Sequence, residues 1–265
     1  MCALTVKAIL TDIEGTTTSI SFVKDILFPY AKQYTKQYLQ RTWNTDETQN
    51  IVHDLMQLKE HEKYLEKLNV TEEQICPETV AKFVNVLIDK DLKLGPLKTL
   101  QGLVWAEGYK TGILKGHVYA DVPVAFKCWH EAKICLAIYS SGSIKAQKLL
   151  FSQTEYGNLL PYISKHFDIT SGHKHEVESY EKIARDLNYN TSDILFLTDV
   201  IKGMLLTYLC LSEFQLFFWA EAEAAGRAGM QVAILSRPGN AVLSQRDKSQ
   251  FMIVNDFNEL KIVAK

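Results

Sequence analysis

The sequence predicts an α/β protein: a parallel sheet core wrapped by helices, with a mostly helical second domain inserted after the first strand. Three observations carry this. Short apolar runs recur along the chain, and each stops at polar or small residues, as strands buried on both faces do. Stretches with helical spacing lie between them, and strands alternating with helices build parallel sheets. One long stretch, from about Phe22 to His117, has helical spacing and no strand-like run.

The first run, Val6 to Thr11, ends in Asp12-Ile13-Glu14-Gly15. The second, Ile134 to Tyr139, ends in Ser140-Ser141-Gly142-Ser143. The third, Asp193 to Thr198, ends at Asp199, and the fourth, Gln231 to Leu235, ends in Ser236-Arg237-Pro238-Gly239-Asn240. Helical patterns such as Ile144 to Phe151 and Val177 to Leu187 separate them. Ligands of an open parallel sheet bind outside the carboxyl ends of its strands, so these polar groups should converge on one crevice.

In the inserted stretch, Val23, Ile26, Leu27, Tyr30, Tyr34 and Tyr38 keep helical spacing, and Leu55, Leu58, Leu65 and Leu68 continue it. The Gly-sprinkled return, Gly108 to Gly116, reads as a hinge or linker. The expected division is a core of residues 1–21 and 116–265 and an inserted domain of residues 22–115.

Composition bounds the function. The 265 residues carry 29 Lys+Arg against 31 Asp+Glu, with 47% hydrophobic and 23% charged residues. Such a chain is neither disordered nor collagen-like, and it lacks the basic excess that a nucleic-acid partner calls for. Cys2, Cys76, Cys128, Cys135 and Cys210 are odd in number, scattered and without C-x-x-C spacing; free thiols in a reducing compartment are expected. Met1 to Leu10 has one Lys and no long apolar stretch, so no signal peptide is expected and the cytoplasm is the default.

The strand ends suggest chemistry. Asp12 and Glu14 stand two positions apart just past a buried strand. One carboxylate could attack phosphorus while the other moves protons. Gly15 would let the chain turn sharply beside a phosphate. A solvated turn after a strand would read the same way. Ser140 and Ser141 could bind phosphate oxygens, though both are ordinary turn residues. Lys174 could neutralise charge on a phosphoryl group or be a solvated loop lysine. His173 and His175 read as ordinary loop histidines. Asp199, with Asp12, could hold Mg²⁺, a hard cation that prefers oxygen ligands, or could cap the next helix.

Taken together, these residues resemble the haloacid dehalogenase superfamily, whose first motif is Asp-x-Asp-x-Thr. Here it reads Asp12-Ile13-Glu14-Gly15-Thr16, and with Thr17-Thr18 it is similar to the signature of the enolase-phosphatase (acireductone synthase) family. Phe22 to Tyr30, Tyr139 to Ser143, Ala146 to Phe151, Gly172-His173-Lys174, Leu195 to Val200 and Arg237-Pro238-Gly239-Asn240-Ala241 agree with it. The resemblance implies a Rossmann-like core with a helical cap. It also implies an Mg²⁺-dependent phosphoric monoester hydrolase with enolase activity, holding one Mg²⁺ per subunit. Such enzymes convert 2,3-diketo-5-methylthiopentyl-1-phosphate to an acireductone and phosphate in methionine salvage. By position, Asp12 matches the nucleophile, Glu14 the acid/base residue, Asp12, Glu14 and Asp199 the metal site, Ser140, Ser141 and Lys174 the substrate site. A monomer in the cytoplasm, and also the nucleus, acting on a small phosphorylated molecule with no nucleic acid or membrane partner, is the expectation. A general small-metabolite phosphatase is the nearest alternative.

One segment departs from the family pattern. Gly203 to Ala220 is nearly all apolar, with Glu213 its one charge. It falls short of the roughly 20 apolar residues of a membrane span. Removing these 18 residues restores Asp199-Val200-Ile201-Lys202-Glu221-Ala222-Glu223-Ala224-Ala225, the family's acidic, Ala-rich helix. The segment reads as a retained intron or a gene-model error. It would move Glu221 from four positions after Asp199 to a distant site and could leave an inactive isoform.

Overall fold

A computed structural model describes residues 3–59, 63, 75–200 and 221–265. The chain forms two compact units, Met1–Ile20 with Gly116–Lys265, and Ser21–Lys115.

Among its described residues the first unit holds eight strands: β1 (Leu4–Val6), β2 (Ala8–Thr11), β3 (Cys135–Tyr139), β4 (Lys165–Phe167), β5 (Ile194–Thr198), β6 (Gln231–Leu235), β7 (Met252–Val254) and β8 (Ile262–Ala264). Six form a parallel sheet in the order β4-β3-β2-β5-β6-β7, and β1 pairs with β8. The chain runs outward from β2 to one edge through β3 and β4, then returns to the other side through β5, β6 and β7. The order therefore reverses at β2, and its carboxyl end is the switch point where such sheets bind ligands. Thr11 lies opposite Ile138 on β3 and Leu197 on β5.

The four apolar runs are the four central strands. The first differs in one respect. It breaks at Lys7, so that Val6 ends β1 and Ala8 begins β2 in another sheet. Lys7 donates its N–H to Asp193 O at 2.8 Å and pairs its ammonium with the Asp193 carboxylate at 3.0 Å, and Lys265 pairs with the same carboxylate at 2.5 Å.

Alternate residues of the central strands face one helix. Ala8, Leu10, Ala137, Tyr139 and Phe196 pack with Tyr180, Ile183 and Ala184 of the helix Val177–Leu187. Each such large apolar side chain contributes about 1.5–3 kcal/mol by leaving water. The helix stops at Asn188, whose left-handed backbone (φ 60°) closes the last turn, a conformation Asn tolerates.

The second unit is helical among its described residues: Phe28–Thr42, Asp46–Met56, Pro77–Asp89 and Gly95–Lys110. Its core includes Leu39, Leu55, Phe83, Leu87 and Leu100. Leu65 and Leu68 lie outside the described residues. The linker expected over Gly108 to Gly116 is helix at its start, because Gly95–Lys110 runs through Gly108, and turn and loop from Thr111 onward, with the second unit ending at Lys115. A Cβ at Gly108 would stand 2.7 Å from both the Tyr30 ring and Leu114, so this glycine serves close packing. Among the described residues no helix is long and apolar enough to cross a membrane, and Gly203 to Ala220 lies outside them.

Candidate active site

The carboxyl ends of the strands bring several of the expected residues together. Asp12 is the first residue past β2, and its N–H still donates to Leu197 O at 2.9 Å, holding it to β5. Its side chain is buried, and Oδ1 accepts from Ile13 N–H at 2.7 Å. The Lys174 ammonium lies 2.5 Å from the same Oδ1 and 3.1 Å from Glu221 Oε2. Thr198, the last residue of β5, donates its hydroxyl to Glu221 Oε2 at 2.9 Å. The insertion is expected to carry Glu221 to a distant site; the structure instead sets it on Lys174. Its position is set by Ala222, whose N–H donates to Val200 O at 3.3 Å and so returns the chain to the end of β5.

Lys174 is held from beneath by two tyrosines, one ending an apolar run of the sequence and one inside a helical pattern. Tyr180 donates its hydroxyl to Lys174 O at 2.7 Å, and Tyr139 donates to Gly172 O at 2.8 Å. The ammonium also sits 5.8 Å from the centre of the Tyr139 ring, a favourable cation–π placement. Tyr139 is the last residue of β3 and Tyr180 lies on the helix packed under it.

The turn after Asp12 is tight. Thr16, Thr17 and Thr18 all donate their N–H to Ile13 O, at 3.2, 2.9 and 2.9 Å, and Gly15 donates to Thr18 O at 2.7 Å. Gly15 has φ +74°, and a Cβ there would stand 2.2 Å from Asp199 Oδ2. Glycine is required on both counts, and its absent side chain is what lets the Asp199 carboxylate lie against the turn. Glu14 is exposed on this turn.

The remaining expected residues are placed as follows. Ser140 donates its N–H to Phe167 O at 3.2 Å and accepts from Gly142 N–H at 3.4 Å through Oγ; it is half-buried and Ser141 is exposed. Ser143 caps the helix Ile144–Ser152, accepting from Ala146 N–H at 3.3 Å, which fixes where this serine turn ends. His173 and His175 stack on each other at 5.3 Å. Asp12, Glu14 and Asp199 do not form a cage: among the described residues, no three His, Cys, Asp or Glu side chains are arranged to hold a metal ion by themselves.

The charges are strongly coupled. Burial pushes the Asp12 carboxyl up to about 7, with Lys174 pulling it back and Glu221 adding to the rise. Burial also pushes Asp199 up, to about 8, and the like charges of Asp12 and Glu221 reinforce it. Burial pulls the Lys174 ammonium down, but Asp12 and Glu221 outweigh this and hold it above its usual value, so it stays cationic. Three carboxyl groups thus crowd one cation, and the protons that burial and mutual repulsion favour on Asp12 and Asp199 mark a place where a divalent ion would supply positive charge.

A family model of haloacid dehalogenase-like hydrolases matches residues 6–205. Proteins called enolase-phosphatase E1 from Drosophila willistoni and Drosophila erecta are 51% and 49% identical, over 97% and 96% of this chain and 97% and 93% of their own length. The crystal structure of UTR4 protein from Saccharomyces cerevisiae superposes with a TM-score of 0.71 at 34% identity, covering 96% of this chain and 100% of that one. The chain belongs to the haloacid dehalogenase-like hydrolases and, within them, to the enolase-phosphatase E1 family. It is accordingly a phosphatase with enolase activity.

Proposed function

We propose that this enzyme acts on 2,3-diketo-5-methylthiopentyl-1-phosphate, with Asp12 as nucleophile and Mg²⁺ as its metal, in methionine salvage. The observation that carries this reading is the buried Asp12–Lys174–Glu221 set at the switch point, with Asp199 laid against Gly15. Ile13 N–H and the Lys174 ammonium both meet Asp12 at Oδ1, which leaves Oδ2 for attack on phosphorus. The bond from phosphorus to the substrate oxygen breaks as the Asp12–phosphorus bond forms, and Glu14 gives its proton to that oxygen. Glu14 then takes a proton from water, whose oxygen attacks the aspartyl-phosphate and releases phosphate and free Asp12. Lys174 offsets charge on the transferring group, while the serine turn at Ser140 and Ser141 binds substrate. Residues 22–115 are assigned as the helical cap domain, and residues 1–21 and 116–265 as the catalytic core. Asp12 and Asp199 would hold the Mg²⁺, which needs only one or two carboxylates because it keeps several waters. Glu14, exposed on the turn, is kept for proton transfer. When bound, the cation offsets repulsion between these carboxylates and an incoming phosphate.

The test is phosphate release from this diketone phosphate by purified protein in Mg²⁺, with and without chelator. Release in Mg²⁺ that stops on chelation is expected. Release that ignores the chelator would remove the metal, and a broad preference for sugar phosphates over the diketone would favour the general phosphatase.

The raised carboxyls also predict a pH effect on the metal-free protein. Between the unfolded carboxylate range and about 8, folded Asp12 and Asp199 hold protons that the unfolded chain has lost. The folded state then binds more protons, so stability falls as pH rises through that window. In chelator, Tm should drop from pH 5.5 to pH 8.5, and Mg²⁺ should raise Tm more at pH 8.5, where no proton competes for its ligands. A Tm in chelator that rises across this range would contradict the assigned burial of these two groups.

A further inference from the structure

The chemistry above leaves one motif unused, Arg237-Pro238-Gly239-Asn240-Ala241, which follows β6. Asn240 Nδ2 donates to Gly15 O at 2.8 Å and to Leu235 O, the last residue of β6, at 3.0 Å. Arg237 Nε donates to Thr16 O at 3.1 Å. We propose that Asn240 and Arg237 are positioning residues for the turn that carries the nucleophile, acting on catalysis through Gly15 and Thr16. This rests on the reading of Asp12 as nucleophile.

In a trans peptide the C=O and the following N–H point to opposite sides. The Gly15–Thr16 peptide is held at its oxygen by Asn240 and at its N–H by Ile13 O. The Thr16–Thr17 peptide is held at its oxygen by Arg237 and at its N–H by the same Ile13 O. Two successive planes are therefore fixed at both ends. They immediately follow Glu14, and Gly15 lies against Asp199, so a tilt of either plane changes the spacing between the Asp12 and Asp199 carboxylates.

The anchor is built to be rigid. Arg237 is buried and makes a two-pronged pair with Asp121, at 2.9 and 2.7 Å. Its guanidinium lies 4.3 Å from the Tyr119 ring centre and 5.0 Å from that of Phe257. Asp121 Oδ2 also accepts from Phe257 N–H at 2.8 Å. Every arm of Arg237 is committed, and none reaches out as a substrate ligand would.

Asn240 is the residue to change, because losing Arg237 would strand the buried Asp121 charge. In Asn240→Ala, the amides of Thr16 and Thr17 should exchange hydrogen faster and kcat should fall about tenfold, the scale of one lost hydrogen bond, with KM for the diketone phosphate within about twofold. Asn240→Asp keeps the shape but sets carboxylate oxygens against two carbonyl oxygens, so both effects should be larger. A folded Asn240→Ala protein with unchanged exchange, or with faster exchange and unchanged kcat, overturns the proposal, and it decides the matter if Asn240→Asp fails to fold. Should Asp12→Asn prove active, the nucleophile reading fails on that result alone, while the exchange data still report on the clamp.

Discussion

Asp12→Asn should lower phosphate release by about 10⁴-fold or more, the scale seen when a nucleophile is removed from a cooperating set, with the fold intact. The substitution keeps an acceptor at Oδ1 for Ile13 N–H and Lys174, whose distances to it are 2.7 and 2.5 Å. It removes a charge that burial disfavours, and Lys174 retains Glu221 at 3.1 Å. Stability should therefore change by no more than about 1 kcal/mol, since no buried charge is left alone. The measurement pairs released phosphate with mass spectrometry of the quenched enzyme. The parent should carry a phosphoryl adduct on the peptide containing Asp12, and the variant none. Turnover within a hundredfold of the parent would remove Asp12 from the reaction.

The legible part of the fold is its centre. β2, β3, β5 and β6 are buried on both faces and so read as unbroken apolar runs. β1, β4, β7 and β8 have three residues each, too few for a period to appear, and Lys165-His166-Phe167 is polar because it is an edge. The site divides along the same line. Asp12, Lys174 and Asp199 stand at strand ends or in a motif and can be nominated from the chain alone. Tyr139 and Tyr180 could not, because aromatic rings in an apolar run and a helical pattern read as core, and their contacts with the loop of Lys174 form only in three dimensions. Arg237 and Asn240 are visible as polar residues after a strand, but that they grip the backbone of Gly15 and Thr16, more than 200 residues away in sequence, appears only in three dimensions.

Deleting Gly203 to Ala220 should leave an active enzyme that is more stable by about 2 kcal/mol. The support lies in the residues on either side. Ala222 N–H donates to Val200 O. In the shortened chain Val200, Ile201, Lys202, Glu221 and Ala222 are consecutive, so this contact is the bond from residue i+4 to residue i that defines an α-helix. It leads into the helix Glu221–Arg227, whose Ala222, Ala224 and Ala225 are buried. Glu221 would then stand four residues after Asp199, and its contacts with Lys174 and Thr198 need no rearrangement. The geometry of the uninterrupted helix is thus already present across the junction. Cutting the connection from about twenty residues to two lowers its closure entropy by about 1.5 RT ln 10, or about 2 kcal/mol. Thermal unfolding and phosphate release, measured on both chain lengths, test this. A shortened chain that unfolds at lower temperature or loses phosphate release would make the segment an integral part of this protein. A more stable and active one would mark it as an insertion that the flanking geometry bypasses.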